Sequence, residues 1–440
     1  MFGHVEDKGT GTDKVKSPST NVTVRGGNKL ESILIRGARH LVTVRGTRGP
    51  RRGPSRNELN VIQDGAILIR DGILVEVGPS RRVENLAQAR DAIEINAAGR
   101  VVMPGFVDAH THLAFPPAGI DAPEPAAAVR ALHTVTGQRL EVRTRAYLEA
   151  MARHGTTTVE VKTGCGLDEG AEAKLLRMLC ALRGEPIDLI PSFLFRLPSE
   201  LNGGSRHATE WVVAKLLPKI RRRGVTHFAD LAWDCDPALL PCFDLYLEAA
   251  RELGFERKIH ADGASPAAAI ALAALHHVVS IDHLEHATAS EVRQIAEAGI
   301  MTTLLPGTSF SGDAKEAPAR ALIDAGAAVA LGSNFNPHHA PALNMQTVVA
   351  LACGRLGMTI EEAICAATVN GAHALGCAER VGSLEPGKAA DLLVLNAGHY
   401  RDLEHSLGTN LVHLTMKRGK FIYKEGEVAP LQADIFLPHM

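Results

Sequence analysis

The stretch Val101-Val102-Met103-Pro104-Gly105-Phe106-Val107-Asp108-Ala109-His110-Thr111-His112 decides how the rest of the chain is read. A β-branched, apolar run ends in two histidines separated by one residue. On a strand, positions i and i+2 face the same way. His110 and His112 can therefore offer both imidazoles to one metal ion at the strand's carboxyl end. In a chain with 20 histidines, a bare His-x-His also fits two ordinary residues on a half-buried strand. The pattern downstream chooses between the two.

From about Met103 strands alternate with helices, which implies a parallel sheet. Helices are expected at 138–154, 168–183, 206–223, 237–253, 289–299 and 315–325, with strand-like runs at 157–161, 187–190, 228–231, 258–260, 278–281, 301–305 and 328–331. With the opening strand these make eight β/α units in about 250 residues, the size of a TIM-like (β/α)8 barrel whose active site gathers at the strands' carboxyl ends. Upstream, short strands are expected at 33–35, 40–44, 65–69 and 73–78. Asp71-Gly72 turns the last two into a hairpin, since both residues accept positive φ. Between the strands at 40–44 and 65–69, residues 45–56 read as a solvated Gly/Pro/Arg loop. Downstream, helices at 359–367 and 369–375 lead to a turn-rich strand region at 382–395 and more strand at 411–416 and 420–423. The expected organisation is a loosely attached tail (1–29), a β-sandwich half (30–102), the barrel (103–380) and the other sandwich half (381–440), with the barrel inserted between the halves.

Composition narrows the class. Hydrophobic residues make up 45% and charged residues 22%, and 47 Lys+Arg against 49 Asp+Glu leave a net charge of −2. That balance gives no electrostatic reason to expect nucleic acid or an anionic membrane as partner. No run of about 18 apolar residues is present to span a bilayer. The first 30 residues have no apolar core and do not read as a secretory signal. The 7 cysteines are scattered without a C-x-x-C pair, which points to reduced thiols in a cytoplasmic protein.

A barrel collects its strand ends around one pocket, so the residues there carry the chemistry. The first strand supplies His110 and His112. A strand counted as about the fourth ends at Glu160-Val161-Lys162-Thr163-Gly164-Cys165-Gly166, with Lys162 expected at the rim. The fifth ends at His260-Ala261-Asp262, the sixth at Asp282-His283-Leu284-Glu285-His286, and the eighth at Gly332-Ser333-Asn334-Phe335-Asn336-Pro337, followed by His338 and His339. Any one of these fits a satisfied core residue; five together at carboxyl ends do not. A catalytic zinc-type site wants about three His or carboxylate ligands and one open position, and its ion lowers the pKa of water towards ~7. The residues thus read as a mononuclear metal hydrolase site with His110, His112 and His260 as ligands and His283 as the acid/base beside them.

The opening Pro104–His112 segment, His260-Ala261-Asp262 and the closing stretch at 382–392 resemble the amidohydrolase superfamily. Within it, four segments resemble the imidazolonepropionase family: 154–167, 305–310, 357–363 and 366–374. The resemblance covers roughly residues 30–425. It implies a (β/α)8 barrel with a β-sandwich, usually a homodimer, holding one divalent ion (zinc or iron). It also implies a small-molecule substrate, a cyclic imidazolone amide of histidine degradation opened by metal-activated water.

The chain departs from that pattern at several positions. The family's strand-eight aspartate, which binds metal and takes a proton from water, is Asn334 here; its carbonyl can still ligate, but it is no base at pH 7. The glutamate after His-Ala-Asp is Gly263. A tyrosine is Cys165. Phe195-Arg196-Leu197-Pro198 replaces a Gly-Ala-His-Ala segment, and no arginine follows His112 within 113–120. The resemblance makes Cys165, Arg196 and Asn336 the candidate substrate-binding residues, and Asp262, Asp282 or His283 the candidates to replace the missing base. Three readings follow: a hydrolase with an altered substrate, a non-catalytic barrel acting as a binding or regulatory protein, and a related deaminase.

Overall fold

The computed structural model describes residues 32–116, 126–164, 167–197, 204–233, 236–310, 315–337, 340 and 342–426. The N-terminal tail, Cys165, Gly166, Pro198, His338 and His339 lie outside the described residues.

Both ends of the chain build one sheet. Its strands are β1 (Ser32–Val42), β2 (Val61–Arg70), β3 (Ile73–Pro79), β4 (Ile93–Asn96) and β5 (Val101–Pro104) from the N-terminal side, with β14 (Leu392–Leu395), β15 (Val412–Lys417) and β16 (Lys420–Lys424) from the C-terminal side. The order is β16-β15-β14-β5-β1-β2-β3, with β4 also paired to β1. The expected sandwich is thus one hydrogen-bonded sheet wrapped around its own core. The first half of β1 pairs with β4 and the second half with β5, and the register shifts between Ile35 and Ala38. Ile35, Leu41, Ile67, Val102, Leu392 and Met416 then meet in a single buried cluster. The β2–β3 hairpin turns as expected at Asp71 and Gly72, with φ of 53° and 75°.

The second sheet is the barrel: β6 (Phe106–Asp108), β7 (Thr156–Thr163), β8 (Asp188–Phe195), β9 (Phe228–Ala232), β10 (Glu256–Ala261), β11 (Ser280–His283), β12 (Met301–Leu304) and β13 (Ala328–Leu331), each parallel to its neighbours. The expected single strand through His112 is split. Val101–Pro104 belongs to the terminal sheet and Phe106–Asp108 to the barrel, while Gly105 between them hydrogen-bonds Asp391. Pro104 lacks an N–H for a continuing ladder, so the chain changes sheets there. His110 and His112 follow β6 in an extended segment. That segment closes the barrel: Ala109 N–H donates to Leu331 O (3.3 Å), Asn334 N–H to His110 O (3.1 Å) and His112 N–H to Phe335 O (2.8 Å).

Every residue of β7 is buried, because both faces of a barrel strand are covered. Val159 and Val161 pack under the outer helices. Glu160 and Lys162, on the other face, sit inside the barrel with no exposure. Lys162 is therefore in the interior rather than at the rim, on the second barrel strand rather than the fourth. The same alternation places Ala229, Leu231, Ile259 and Ile281 outward and Asp230, Lys258, His260 and Asp282 inward.

The helices at Gly137–Arg153, Glu169–Ala181, Leu240–Glu252 and Ala289–Ala298 match expectation, but the one expected at 315–325 is shorter, Ala319–Asp324. The helix Ala267–Leu275 was not expected. It is all alanine, isoleucine and leucine, so no polar face marks its period. Among the described residues no helix is long and apolar enough to cross a membrane.

The arginine-rich loop is more than a solvated insertion. Arg51 is buried, and its guanidinium donates to Val44 O (2.9 Å) and Thr47 O (2.8 Å). Asn370 clamps the Arg51 backbone from both sides: its Oδ1 accepts from Arg51 N–H (2.6 Å), and its Nδ2 donates to Arg51 O (3.0 Å) and Val329 O (2.7 Å). Asn370→Ala leaves these groups unpaired and is expected to lower unfolding stability by about 2–4 kcal/mol, read as an earlier denaturant midpoint; an unchanged midpoint would refute the clamp.

Candidate functional site

Four histidines from three strand ends converge where the barrel closes. The Nε2 atoms of His110 and His112 face each other at 3.3 Å. Ring centroids lie 4.9 Å apart for His110 and His260, 5.6 Å for His112 and His260, 4.4 Å for His260 and His283, and 5.3 Å for His110 and His283. Ligand atoms of His110, His260 and His283 all lie within 4.8 Å of one another. His283, expected beside the ligands as acid/base, thus stands within ligand reach as well.

Three of the four rings are oriented from behind by a carboxylate. His110 Nδ1 meets Asp282 Oδ2 at 2.7 Å, His260 Nε2 meets Asp262 Oδ2 at 3.2 Å, and His283 Nδ1 meets Glu285 Oε1 at 3.1 Å. Burial, with the Lys162 ammonium beyond, holds His110 well below the ordinary histidine pKa. Burial and the neighbouring His260 do the same to His112. Burial also lowers His260, against the pull of Asp262. Burial works against a charged His283 too, but Glu285, Asp262 and Asp282 outweigh it and raise its pKa. Three neutral imidazoles and one proton-attracting imidazole share the pocket.

The backbone around His283 is unusual. His283 and Leu284 have φ of 78° and 71°, a conformation costly for non-glycine residues and concentrated at functional sites. Asn334 also has positive φ, 54°, which asparagine tolerates. Gly332 lets the eighth strand approach closely, since a Cβ there would stand 2.7 Å from His110 Cβ.

The other expected site residues divide. Arg196 is at the mouth, with Nη2 3.3 Å from Asp262 Oδ2. Asp262 is drawn well below the usual carboxylate range: burial opposes ionisation, but His260 and Arg196 prevail. Asn334 donates its side-chain amide to Thr308 Oγ1 (3.0 Å). Asn336 is buried and exchanges backbone hydrogen bonds with Ala340 (2.9 and 3.1 Å). Cys165 falls outside the described residues. Glu285 was quoted in the strand-six motif without a role; its position two residues after His283 was the available signal. Asp108, also missed, accepts from Ser333 N–H (2.9 Å), and burial pushes its pKa up to about 6.

Three buried ring nitrogens have no hydrogen-bond partner among the described residues: His112 Nδ1, His260 Nδ1 and His283 Nε2. Buried polar atoms are seldom left so. Unpartnered imidazole nitrogens, two of them on rings whose protonation burial disfavours, beside two Nε2 atoms brought face to face, fit a bound divalent cation.

Glu172 supports the neighbouring turn. Its carboxyl meets Thr163 Oγ1 (2.7 Å) and Gly164 N–H (2.9 Å). Gly164 has φ of 85°, and a Cβ there would stand 1.9 Å from Leu194 O. Burial raises the Glu172 pKa from 4.5 to about 7. A carboxyl raised in the folded state contributes stability fully below 4.5, and the contribution is lost as pH rises through 7. Wild type is therefore expected to lose on the order of 3 kcal/mol relative to Glu172→Gln between about pH 5 and pH 8. Parallel urea titrations across that range check it; equal slopes would sink the assignment.

Comparison with known proteins bears on both the family and the fold. Residues 101–422 match the model of the amidohydrolase family. The imidazolonepropionase of Symbiobacterium thermophilum is 38% identical over 421 residues, covering 90% of this chain and 98% of that one. The imidazolonepropionase of Parabacteroides distasonis is 37% identical over 410 residues, covering 88% and 98%. Among solved structures, N-isopropylammelide isopropylaminohydrolase from Burkholderia multivorans superposes with a TM-score of 0.70 at 17% identity, covering 91% of this chain and all (100%) of that one. A zinc-bound adenosine deaminase from Xanthomonas campestris gives 0.67 at 19%, covering 91% and 95%. At such identities the structural likeness speaks for the fold alone.

Proposed function

The chain belongs to the amidohydrolase family, in its imidazolonepropionase branch, and from that premise we propose that it hydrolyses a C–N bond of a cyclic amide of the imidazolone type at the four-histidine pocket. The observation that carries this reading is the convergence of His110, His112, His260 and His283, with unpartnered buried nitrogens on the last three.

His110, His112 and His260 would hold one divalent ion, zinc or iron, with Asn334 as a neutral neighbour. Bound there, such an ion would supply Lewis acidity, lowering the pKa of water and polarising the amide carbonyl. The protein's own groups move the protons. His283, its Nδ1–H held by Glu285, presents Nε2 to the pocket. It takes the proton from the attacking water and returns it to the departing ring nitrogen. This supplies the proton transfer that Asn334 cannot. Asp262, kept ionised between His260 and Arg196, orients the former. Arg196 at the mouth is the candidate contact for an anionic substrate group. The histidine cluster gives the non-catalytic reading no support, and likeness to deaminases at the level of fold does not favour that chemistry. The proposed working form is a cytoplasmic homodimer, which light scattering of the purified protein checks for assembly.

Metal content by elemental analysis, paired with hydrolysis of 4-imidazolone-5-propionate, tests the proposal. The expected result is about one ion per chain, as for a mononuclear site, together with turnover. Neither metal nor turnover on this or other cyclic amides would refute it. His260→Ala should remove most of the metal, since two first-strand histidines leave an ion under-coordinated; full retention would strike His260 from the ligand set. Asn334→Asp places a charge at a backbone that accommodates it, and should raise both metal affinity and rate. No rise in either would show that the pocket does not depend on position 334.

A further inference from the structure

Beneath the histidines the barrel interior holds a tier of charge instead of the usual layers of branched apolar side chains. Lys162, Lys258, Glu160, Asp230 and Asp282 all have no exposure. Lys162 Nζ pairs with Asp230 and lies 3.1 Å from Glu160 Oε2 and 3.2 Å from Asp282 Oδ2. Lys258 Nζ lies 2.7 Å from Glu160 Oε1 and 3.6 Å from Asp282 Oδ2. Ser192 Oγ donates to Glu160 (2.5 Å) and Ser280 Oγ to Asp282 Oδ1 (3.1 Å).

The charges do not cancel. Three carboxylates share two ammoniums, so the tier carries one surplus negative charge, and Asp282 is the carboxylate of the tier that also faces the histidines. Its Oδ2 is also the atom that meets His110 Nδ1 at 2.7 Å. An ionised carboxylate only accepts, so His110 must carry its proton on Nδ1. That leaves the Nε2 lone pair directed at His112 and the rest of the cluster. Carboxylate partners of this kind orient ligand histidines and raise their basicity.

We propose that Asp282, held by Lys162 and Lys258, is the positioning residue for His110: it fixes the ring's tautomer and lends the histidine cluster the negative charge that Asn334 does not supply. This inference rests on the metal-site reading above. The two lysines make the arrangement rigid. They turn the Asp282 carboxylate towards one histidine and hold it there without exposing any charge to water.

The test measures zinc affinity of the full chain by chelator competition, and the visible spectrum of the cobalt(II)-loaded protein, which reports ligand geometry. Asp282→Asn keeps the shape and removes the charge; it should weaken zinc about 10–100-fold and shift the cobalt spectrum. Asp230→Asn, which touches Lys162 but not His110, should weaken zinc clearly less. Equal weakening by both, as a general loosening of the barrel would give, overturns the proposal. Should Asp282→Asn not fold, Ser280→Ala removes only the hydrogen bond to Oδ1 and decides the matter: a weaker site with a shifted spectrum supports the role, and unchanged values overturn it. Zinc bound equally by wild type and Asp282→Asn overturns the positioning role alone. A wild-type chain that binds no zinc, cobalt or iron overturns the metal-hydrolase reading and this inference with it.

Discussion

Five fully buried ionic side chains inside one barrel persist only because each meets an opposite charge. An isolated buried charge is strongly disfavoured, and a broken buried pair is costly. Lys162 joins strands two, four and six through Asp230 and Asp282, and Lys258 ties strand five back to Glu160 on strand two. These contacts cross the barrel and fix the relative positions of the strands that end in His260 and His283. The histidine pocket rests on this tier. Apolar packing in the same place would hold the strands together without orienting any ring.

Closure of the barrel makes the pocket complete. The extended segment after β6 lies between β7 and the end of β13, hydrogen-bonded to both: Lys162 N–H donates to Thr111 O (3.0 Å) and His112 N–H to Phe335 O (2.8 Å). His110 and His112 are thus placed by backbone bonds on two sides. The positive φ values at His283, Leu284 and Asn334 lie at the same mouth. Strain of this kind persists where the surrounding structure over-determines it, and here Glu285, the neighbouring histidines and the Thr308 hydroxyl supply the restraint.

At the position where the family resemblance implies a strand-eight carboxylate, Asn334 brings neither a charge nor a base to the proposed site. The surrounding carboxylates bear on both points. Asp282 lies behind His110, Asp262 beside His260 and Glu285 behind His283, all three at the ends of barrel strands five and six. In the proposed metal site, charge acting through a histidine would be softer than charge placed on the ion itself, but Asp282 is wholly buried, where electrostatic interactions are strong. His283 is thereby the ring best suited to accept a proton, because its neighbours outweigh the cost of burial.

Local pattern was enough for the eight barrel strands and for the four histidines. Short β-branched runs alternating with amphipathic segments counted out eight barrel strands, and Asp71-Gly72 marked its hairpin, because these features depend on neighbours in the chain. His110, His112, His260 and His283 stood out for the same reason, each ending a strand-like run. What the chain order could not convey was contact between distant strands. Whether Lys162 stood at a rim or inside the barrel depends on charges contributed by Asp230 and Asp282, 68 and 120 residues away. The helix Ala267–Leu275 carries no polar face of its own and takes its place only from the packing around it. Residue types and periodicity thus specified barrel and histidines. Orientation, proton placement and the pairing of buried charges arose only when tertiary structure brought separate strands within hydrogen-bonding distance, since electrostatic energies in a dry interior depend on ångström-scale separations that sequence spacing does not encode.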